Sequence, residues 1–263
     1  MQTGSKARRR SNIYVIKLGG SIITRKDEAF TPSLSTINRV AKELARIYTD
    51  AKLAIVLGGG SYGHYAAAQQ REHDSSAAHA LYAVAAAMNE LALLVADILA
   101  LNGIPSLIYP PHAMCSPRGL RPNCIWQQAL HALNRDAVPL TYGDIYPCES
   151  RKGWCIVSGD ELAMEMGCRI GATKVIYVSD VDGLLTSSGE LVPELRLREL
   201  ELATKHAGGS SHVDVTGGIR RKLDAIRENW CDSIREVWIV NGLEEGRIIG
   251  AIEGVGPGTV IRP

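Results

Sequence analysis

Ile13-Tyr14-Val15-Ile16-Lys17-Leu18 runs straight into Gly19-Gly20-Ser21. An apolar run rich in β-branched residues and closed by a glycine pair reads as a buried strand ending in a turn. Leu53 to Leu57 repeats the pattern and ends on Gly58-Gly59-Gly60. Lys174 to Val178 repeats it again and leads into Ser179-Asp180-Val181-Asp182-Gly183. In an open parallel sheet, ligands bind beyond the carboxyl ends of the strands. The three glycine-bearing turns are therefore the candidate site.

Helical patterns separate these strands. Ile37, Val40, Leu44 and Ile47 share one face, and so do Leu81, Val84, Met88, Leu91, Val95 and Ile98 in a long pattern from Ala77 to Asn102. Further strands are expected at Ser106 to Tyr109, Val138 to Thr141, Glu236 to Val240 and Gly258 to Ile261. Further helices are expected near Trp126 to Leu133, Leu162 to Met166 and Gly217 to Glu228. Strands alternating with helices predict an α/β fold with a mainly parallel sheet. Pro110 to Pro122 reads as a long surface loop.

The chain has 263 residues, 46% hydrophobic and 22% charged, with a net charge of +1. That composition supports a sizeable core. It disfavours a nucleic-acid binder, which carries a basic excess. The polar stretch Met1 to Asn12, with Arg8, Arg9 and Arg10, reads as a flexible basic arm without the apolar segment of a secretory signal. Residues 13–263 then form a single domain. No apolar run is expected to span a membrane, so a soluble cytoplasmic protein is predicted. The six cysteines form no C-x-x-C and read as small buried hydrophobes rather than a disulfide framework.

Lys17-Leu18-Gly19-Gly20-Ser21 combines a point charge with backbone amides able to form an anion nest. It is not a Walker A motif. Gly58-Gly59-Gly60-Ser61-Tyr62-Gly63-His64 places four glycines in six residues, a conformational cost that a closely approaching ligand would explain. His64 is a candidate donor to a phosphate oxygen. Gly217-Gly218 opens a helix whose N-terminus attracts anions, with Lys222 one turn further in. The carboxylates of Ser158-Gly159-Asp160 and of 179–183 are candidates to position lysines, or Mg²⁺ through water.

In order and separation, KLGGS (17–21), GGGSYGH (58–64), YGD (142–144), SGDE (158–161), SDVDG (179–183) and DVTGGIRRK (214–222) resemble the amino acid kinase family, and within it the archaeal-type isopentenyl phosphate kinases. The resemblance implies a three-layer αβα sandwich and a homodimer. It also implies in-line transfer from ATP with Mg²⁺ to isopentenyl phosphate, in the alternative mevalonate route of isoprenoid biosynthesis. The N-terminal part would bind the acceptor and the C-terminal part the nucleotide. Lys17, Gly19, Gly20 and Ser21 match the phosphate cradle, and Lys26 a lysine on the phosphoryl group in flight. Gly59, Gly63, His64 and Gly159 match acceptor contacts. Gly60, Asp180, Gly217 and Lys222 match the nucleotide side. Asp160 matches the carboxylate that organises the lysines, and no dedicated protein metal site is assigned. An isoprenoid acceptor also needs an apolar slot, for which Tyr82, Ala83, Ala86, Ala87 and Met88 are candidates; their helix suits a core or dimer interface equally.

Leu57 stands where many relatives have His. Arg25 to Glu28 and Ala113-Met114-Cys115 look like fosfomycin-resistance kinases, and a third resemblance is to bacterial uridylate kinases. A phosphonate kinase, a UMP kinase and a non-catalytic nucleotide sensor or storage protein are the competing readings.

Overall fold

The computed structural model describes residues 12–72, 76–118, 121–200, 213–214 and 217–263. The arm at 1–11 and Val215-Thr216 of the sixth motif lie outside them. The strands are β1 (Ile13–Leu18), β2 (Lys52–Leu57), β3 (Ser106–Ile108), β4 (Cys115–Arg118), β5 (Arg121–Cys124), β6 (Val138–Tyr142), β7 (Asp144–Pro147), β8 (Trp154–Val157), β9 (Lys174–Ser179), β10 (Leu184–Thr186), β11 (Leu191–Val192), β12 (Glu194–Arg196), β13 (Val213–Asp214), β14 (Glu236–Asn241) and β15 (Thr259–Arg262). The helices are α1 (Gly20–Ile23), α2 (Leu34–Tyr48), α3 (Gly60–Glu72), α4 (Ala77–Leu101), α5 (Pro111–Met114), α6 (Gln127–Leu133), α7 (Gly159–Ile170), α8 (Gly217–Glu228) and α9 (Arg247–Glu253).

Eight strands form one sheet in the order β12-β15-β14-β9-β1-β2-β6-β3. From β14 to β3 all neighbours run parallel; β15 is antiparallel to β14 and carries β12 parallel to itself. The period of two along a strand sends alternate side chains into two cores. Tyr14, Ile16, Leu18, Ile55 and Leu57 pack with Ile37, Leu44, Leu91 and Val95 of α2 and α4. Val15, Val56, Val175 and Tyr177 pack with Leu162, Met166, Leu223 and Ile226 of α7 and α8. The fold is the expected three-layer αβα sandwich. The same alternation sends Lys17 to the α7 side.

The carboxyl ends of β1 and β2 press backbone on backbone. A Cβ on Gly20 would lie 2.3 Å from the Gly60 nitrogen, and one on Gly58 2.6 Å from the Gly20 nitrogen. Gly60 also has φ +50°, which favours glycine. Backbone packing, rather than ligand approach alone, therefore accounts for much of this glycine content. From Gly60 the chain enters α3, so the expected loop at 58–64 is a helix start with His64 on it.

Other expectations are corrected. Pro110 to Pro122 is not a plain loop but holds α5 and the hairpin strands β4 and β5. The cysteines are not free hydrophobes: Cys115–Cys124, Cys148–Cys155 and Cys168–Cys231 are disulfides. The first joins partners directly opposite on β4 and β5, and the second lies in the β7–β8 hairpin. Spacing does not reveal such pairings because strand register creates them. Finally, α4, with mean hydropathy 1.9 in its most apolar window, is long and apolar enough to cross a membrane. Here one face of it is core, with Ala80, Val84, Met88, Leu91, Val95 and Leu99 buried.

Polar ties fix α2 to α9 and to the residue that follows β14. Buried Glu43 on α2 accepts from the amides of Ile248 (3.0 Å) and Ile249 (3.1 Å) in the first turn of α9. Arg39, one turn earlier, donates to the Gly242 carbonyl.

Gly20→Ala should be strongly destabilising, because the new methyl meets main chain that cannot rotate away. Overpacking typically costs about 1–3 kcal/mol, and the upper end is expected. A urea midpoint within error of wild type would contradict the backbone contact.

Candidate active site

A cleft of about 860 Å³ opens at the carboxyl end of the sheet. Lys17, Gly20, Ser21, Lys26, Gly59, Gly60, Gly63, His64, Gly159, Asp160 and Gly218 line it. These come from the end of β1, the α1 start and the segment after it, and the N-terminal ends of α3, α7 and α8. The first amides of a helix have no intrahelical acceptor. Each N-terminus carries about half a positive charge. The arrangement favours a polyanion.

At the floor, Lys17 Nζ lies 2.8 Å and Lys222 Nζ 3.2 Å from the same Asp160 oxygen. Both lysines are buried, at 7% and 6% exposure. Burial alone would raise the Asp160 pKa, but Lys17 and Lys222 outweigh it and bring it down to about 2. Burial, then the Lys17 charge, pulls Lys222 down to about 8, with Asp160 opposing. Two ammoniums on one carboxylate leave one positive charge at the floor. Asp160 is placed by a capping box: Ser158 Oγ accepts from the α7 backbone, and Glu161 Oε2 accepts from the Ser158 amide at 3.2 Å.

A second cluster lies at the end of β9. Lys26 Nζ, largely exposed, donates to Asp180 Oδ2 at 2.6 Å. Burial would raise the Asp180 pKa, but hydrogen bonds from Lys26 and Ser21 and the Lys26 charge lower it. Lys26 therefore sits on Asp180 here and not on the Lys17 trio. Facing the floor, His64 has a lowered pKa, first from burial and then from the Arg221 and Lys17 charges. At neutral pH it is an uncharged imidazole able to donate one hydrogen bond.

Not every expected residue reaches the cleft. Gly19 spends its amide on the Val178 carbonyl at 2.8 Å, continuing the sheet. Gly217 opens α8 one residue before the cleft wall. Among the described residues, no group of three or more His, Cys, Asp or Glu is arranged to hold a metal. The expected helix does reach the cleft, but through Val84 and not through Tyr82, Ala83, Ala86, Ala87 or Met88; Tyr82 is exposed and Met88 lies in the core. The cleft's apolar lining includes Val84 of α4, Tyr65 and Ala67 of α3, Ala225 of α8, and Ile145, Ile156 and Val157 of β7 and β8, where Ile145 and Ile156 are cross-strand partners.

Sequence reasoning missed Tyr177. Its hydroxyl donates to the Asp160 carbonyl at 2.8 Å, and its ring lies 4.6 Å from Lys222 Nζ. The available signal was register, since Tyr177 pairs with Lys17 across β9 and β1. It also missed His112, whose Nδ1 lies 2.7 Å from buried Asp144 Oδ2. The hydrogen bond to Asp144 raises the His112 pKa against the effect of burial.

The model of the amino acid kinase family matches residues 12–241. The chain belongs to the amino acid kinase family. An isopentenyl phosphate kinase of Haloferax volcanii is 31% identical over 95% of this chain and 99% of its own length. That of Methanocaldococcus jannaschii is 26% identical over 95% and 98%. A crystal structure of an isopentenyl phosphate kinase superposes with TM-score 0.79 at 25% identity, covering 95% of this chain and all of that one. The lysine trio, the glycine turns and the helix N-termini are thus seen in a kinase fold matched along nearly its whole length.

The depressed Asp160 pKa carries a stability consequence. Its folded value of about 2 lies below its ordinary 3.8. The contribution is therefore complete above about pH 4 and is lost as pH falls through about 2. Asp160→Asn should lower stability at pH 7 by about 2 kcal/mol, and the gap should close in acid. A gap that stays constant from neutral to acid pH in urea melts would contradict this.

Proposed function

We propose that the chain transfers the γ-phosphoryl group of ATP to the phosphate of isopentenyl phosphate, giving isopentenyl diphosphate and ADP. The observation that carries this reading is the Lys17–Asp160–Lys222 trio set beneath three helix N-termini and beside a small apolar wall. The trio and amides suit two phosphates meeting; Val84, Ile145 and Ile156 suit a short alkyl chain. The similar full-length isopentenyl phosphate kinases support the acceptor.

An acceptor oxygen attacks the γ-phosphorus, its bond to the β–γ bridging oxygen breaks, and ADP leaves. The transition state is loose, so catalysis is mainly positioning and charge stabilisation. Lys17 and Lys222 hold charge at the transferred group. Lys26, leaving Asp180, adds a third ammonium. Neutral His64 donates to the acceptor phosphate without needing to be a base, because that phosphate is already ionised. Gly59, Gly63 and Gly159 line the acceptor side. Gly60, Ser21, Asp180 and Gly217 lie toward the donor. ATP would bring Mg²⁺ on its own phosphates, with Asp180 the carboxylate that fits it, as Mg²⁺ sites commonly use one or two carboxylates plus phosphates. It would supply further charge neutralisation.

We read residues 13–263 as one domain with acceptor and nucleotide halves. We read the reaction as cytoplasmic, a reading that ATP as donor supports. The three disulfides would then put this chain among intracellular proteins that retain such bonds, as those of hyperthermophiles do.

A transfer assay with γ-labelled ATP over isopentenyl phosphate, dimethylallyl phosphate, fosfomycin and UMP tests the acceptor. The two isoprenoid phosphates should be labelled fastest; preferential labelling of fosfomycin or UMP would replace this reading, and ATP binding without transfer would favour the sensor. Lys17→Ala and His64→Ala should fold normally and lose turnover roughly a hundredfold each. Retained turnover in either would remove that residue from the mechanism.

The same reading includes a homodimer. Large apolar side chains on the outer face of a helix that already packs its other face on the core suit a second contact, and Tyr82 and Leu93 of α4 are 74% and 56% exposed. Exposed Glu90 and Asp97 beside them suit a protein partner better than lipid. Leu93→Glu should shift the sedimenting species from dimer to monomer. An unchanged dimer would place the interface elsewhere.

A further inference from the structure

The apolar side of the cleft rests on a ribbon of two strands. Ile145 and Ile156 are direct cross-strand partners in β7 and β8, and both line the cleft. Among the described residues this sheet has no third strand. A lone two-stranded hairpin is marginal in water. β7 is anchored, since Asp144, Ile145 and Tyr146 are buried. β8 is the outer strand, and its Ile156 is 52% exposed. Something besides the ladder has to hold Ile156 in place.

Two ties do so, and neither belongs to the lysine machinery. At the tip, Cys148 and Cys155 are bonded, locking β8 onto the end of β7 one residue from Ile156. The turn between them is short and bonded within itself: Ser150 Oγ donates to the Trp154 carbonyl at 2.7 Å, and the Cys148 amide donates to the Gly153 carbonyl at 3.3 Å. At the base, the Asp144 carboxylate accepts from the Ile145 amide at 2.8 Å and meets the His112 ring at 2.7 Å and its amide at 3.3 Å. His112 belongs to α5, which leads directly into β4 and its own disulfide to β5. The ribbon is thus stapled at one end and moored to a second stapled ribbon at the other.

We propose that the Cys148–Cys155 disulfide and the His112–Asp144 pair are positioning elements that set acceptor-length selectivity by fixing Ile156 against the cleft. This rests on the acceptor reading above. With the ties intact, the wall closes on a short chain. When the disulfide opens, β8 can swing, the short acceptor loses its contact and a longer one gains room. The opening itself is simple: a dithiol gives two electrons and two protons to the Sγ–Sγ bond, leaving two thiols and its own cyclic disulfide. The donor side should respond little: β8 runs into α7 at Ser158, but Val157 is buried and the capping box holds the start of α7, so the movement is confined to the strand before Val157 and Lys17, Asp160 and Lys222 stay in place.

The test uses the full chain. KM and kcat are measured for isopentenyl phosphate, for a ten-carbon isoprenyl phosphate and for ATP, in wild type and in a Cys148→Ser/Cys155→Ser variant. A pocket contact of about one methylene is worth roughly tenfold in selectivity. The short acceptor's KM should therefore rise about tenfold, the long-to-short kcat/KM ratio should rise likewise, and the ATP KM should stay constant. His112→Ala should move the same quantities, and His112→Asn, which keeps a side-chain N–H for Asp144, should restore them. If the double variant fails to fold, wild type titrated with dithiothreitol until mass spectrometry finds free thiols at Cys148 and Cys155 but not at the other four cysteines gives the same comparison. Unchanged selectivity on loss of the disulfide, or free thiols at Cys148 and Cys155 in the active enzyme, would overturn the proposal. Wild type that transfers to neither isoprenyl phosphate would instead sink the acceptor reading beneath it.

Discussion

Lys17 stands on β1, with strands on both sides of it, and is almost wholly buried. An unpaired ammonium there would cost several kcal/mol, so a carboxylate has to reach it. That requirement organises the end of the sheet. Asp160 reaches it because α7 starts close against the main chain: a Cβ on Gly159 would lie 2.9 Å from the Leu57 carbonyl oxygen. Lys222 arrives on α8 at the same oxygen, and Tyr177 closes the group from below. One carboxylate cannot neutralise two ammoniums. The structure tolerates a desolvated surplus of positive charge, visible in the lowered pKa of Lys222. A phosphate relieves that surplus, so the lowered pKa of Lys222 and the site's affinity for a phosphate share one origin.

Long elements were legible because their patterns are long. The β-branched runs of β1, β2, β9 and β14 and the apolar stripes of α2, α4 and α8 lie where periodicity puts them, within a few residues. Short elements were not legible. Cys115–Arg118 and Arg121–Cys124 contain proline and arginine and no alternating apolar face. They are strands because a covalent bond and each other hold them, not because of propensity. The glycines show a subtler limit. Their number at 58–60 signals close approach, but not what approaches; here it is first the Gly20 backbone.

The site divides in the same way. Lys17, Asp160 and Lys222 converge as the motif resemblance implied, and Tyr177 could have been added from strand register alone. The slot was assigned to the right helix but to other residues on it than Val84. A stripe such as Leu81, Val84 and Met88 says that a helix is packed, but it does not say which neighbour forms a cavity. The wall includes Ile145 and Ile156, which meet across a short hairpin that has no clear sequence signal. Lys26 shows the effect of exposure. A long, solvated side chain takes the nearest carboxylate, Asp180, whatever it does when phosphates are present.

Two kinds of rigidity therefore meet at the cleft. The charged floor is built into the sheet, where any shift would separate buried charges and break ladder hydrogen bonds. The apolar wall is an appended ribbon whose position depends on a few local ties. Burying a five-carbon chain against it yields only a few kcal/mol at about 25 cal/mol per Å². The phosphate end therefore contributes most of the attraction and little of the discrimination among alkyl groups. Discrimination has to come from how firmly the wall refuses to move. A floor fixed by electrostatics and a wall fixed by ties can change independently, which lets acceptor choice vary while the phosphoryl-transfer site stays as it is.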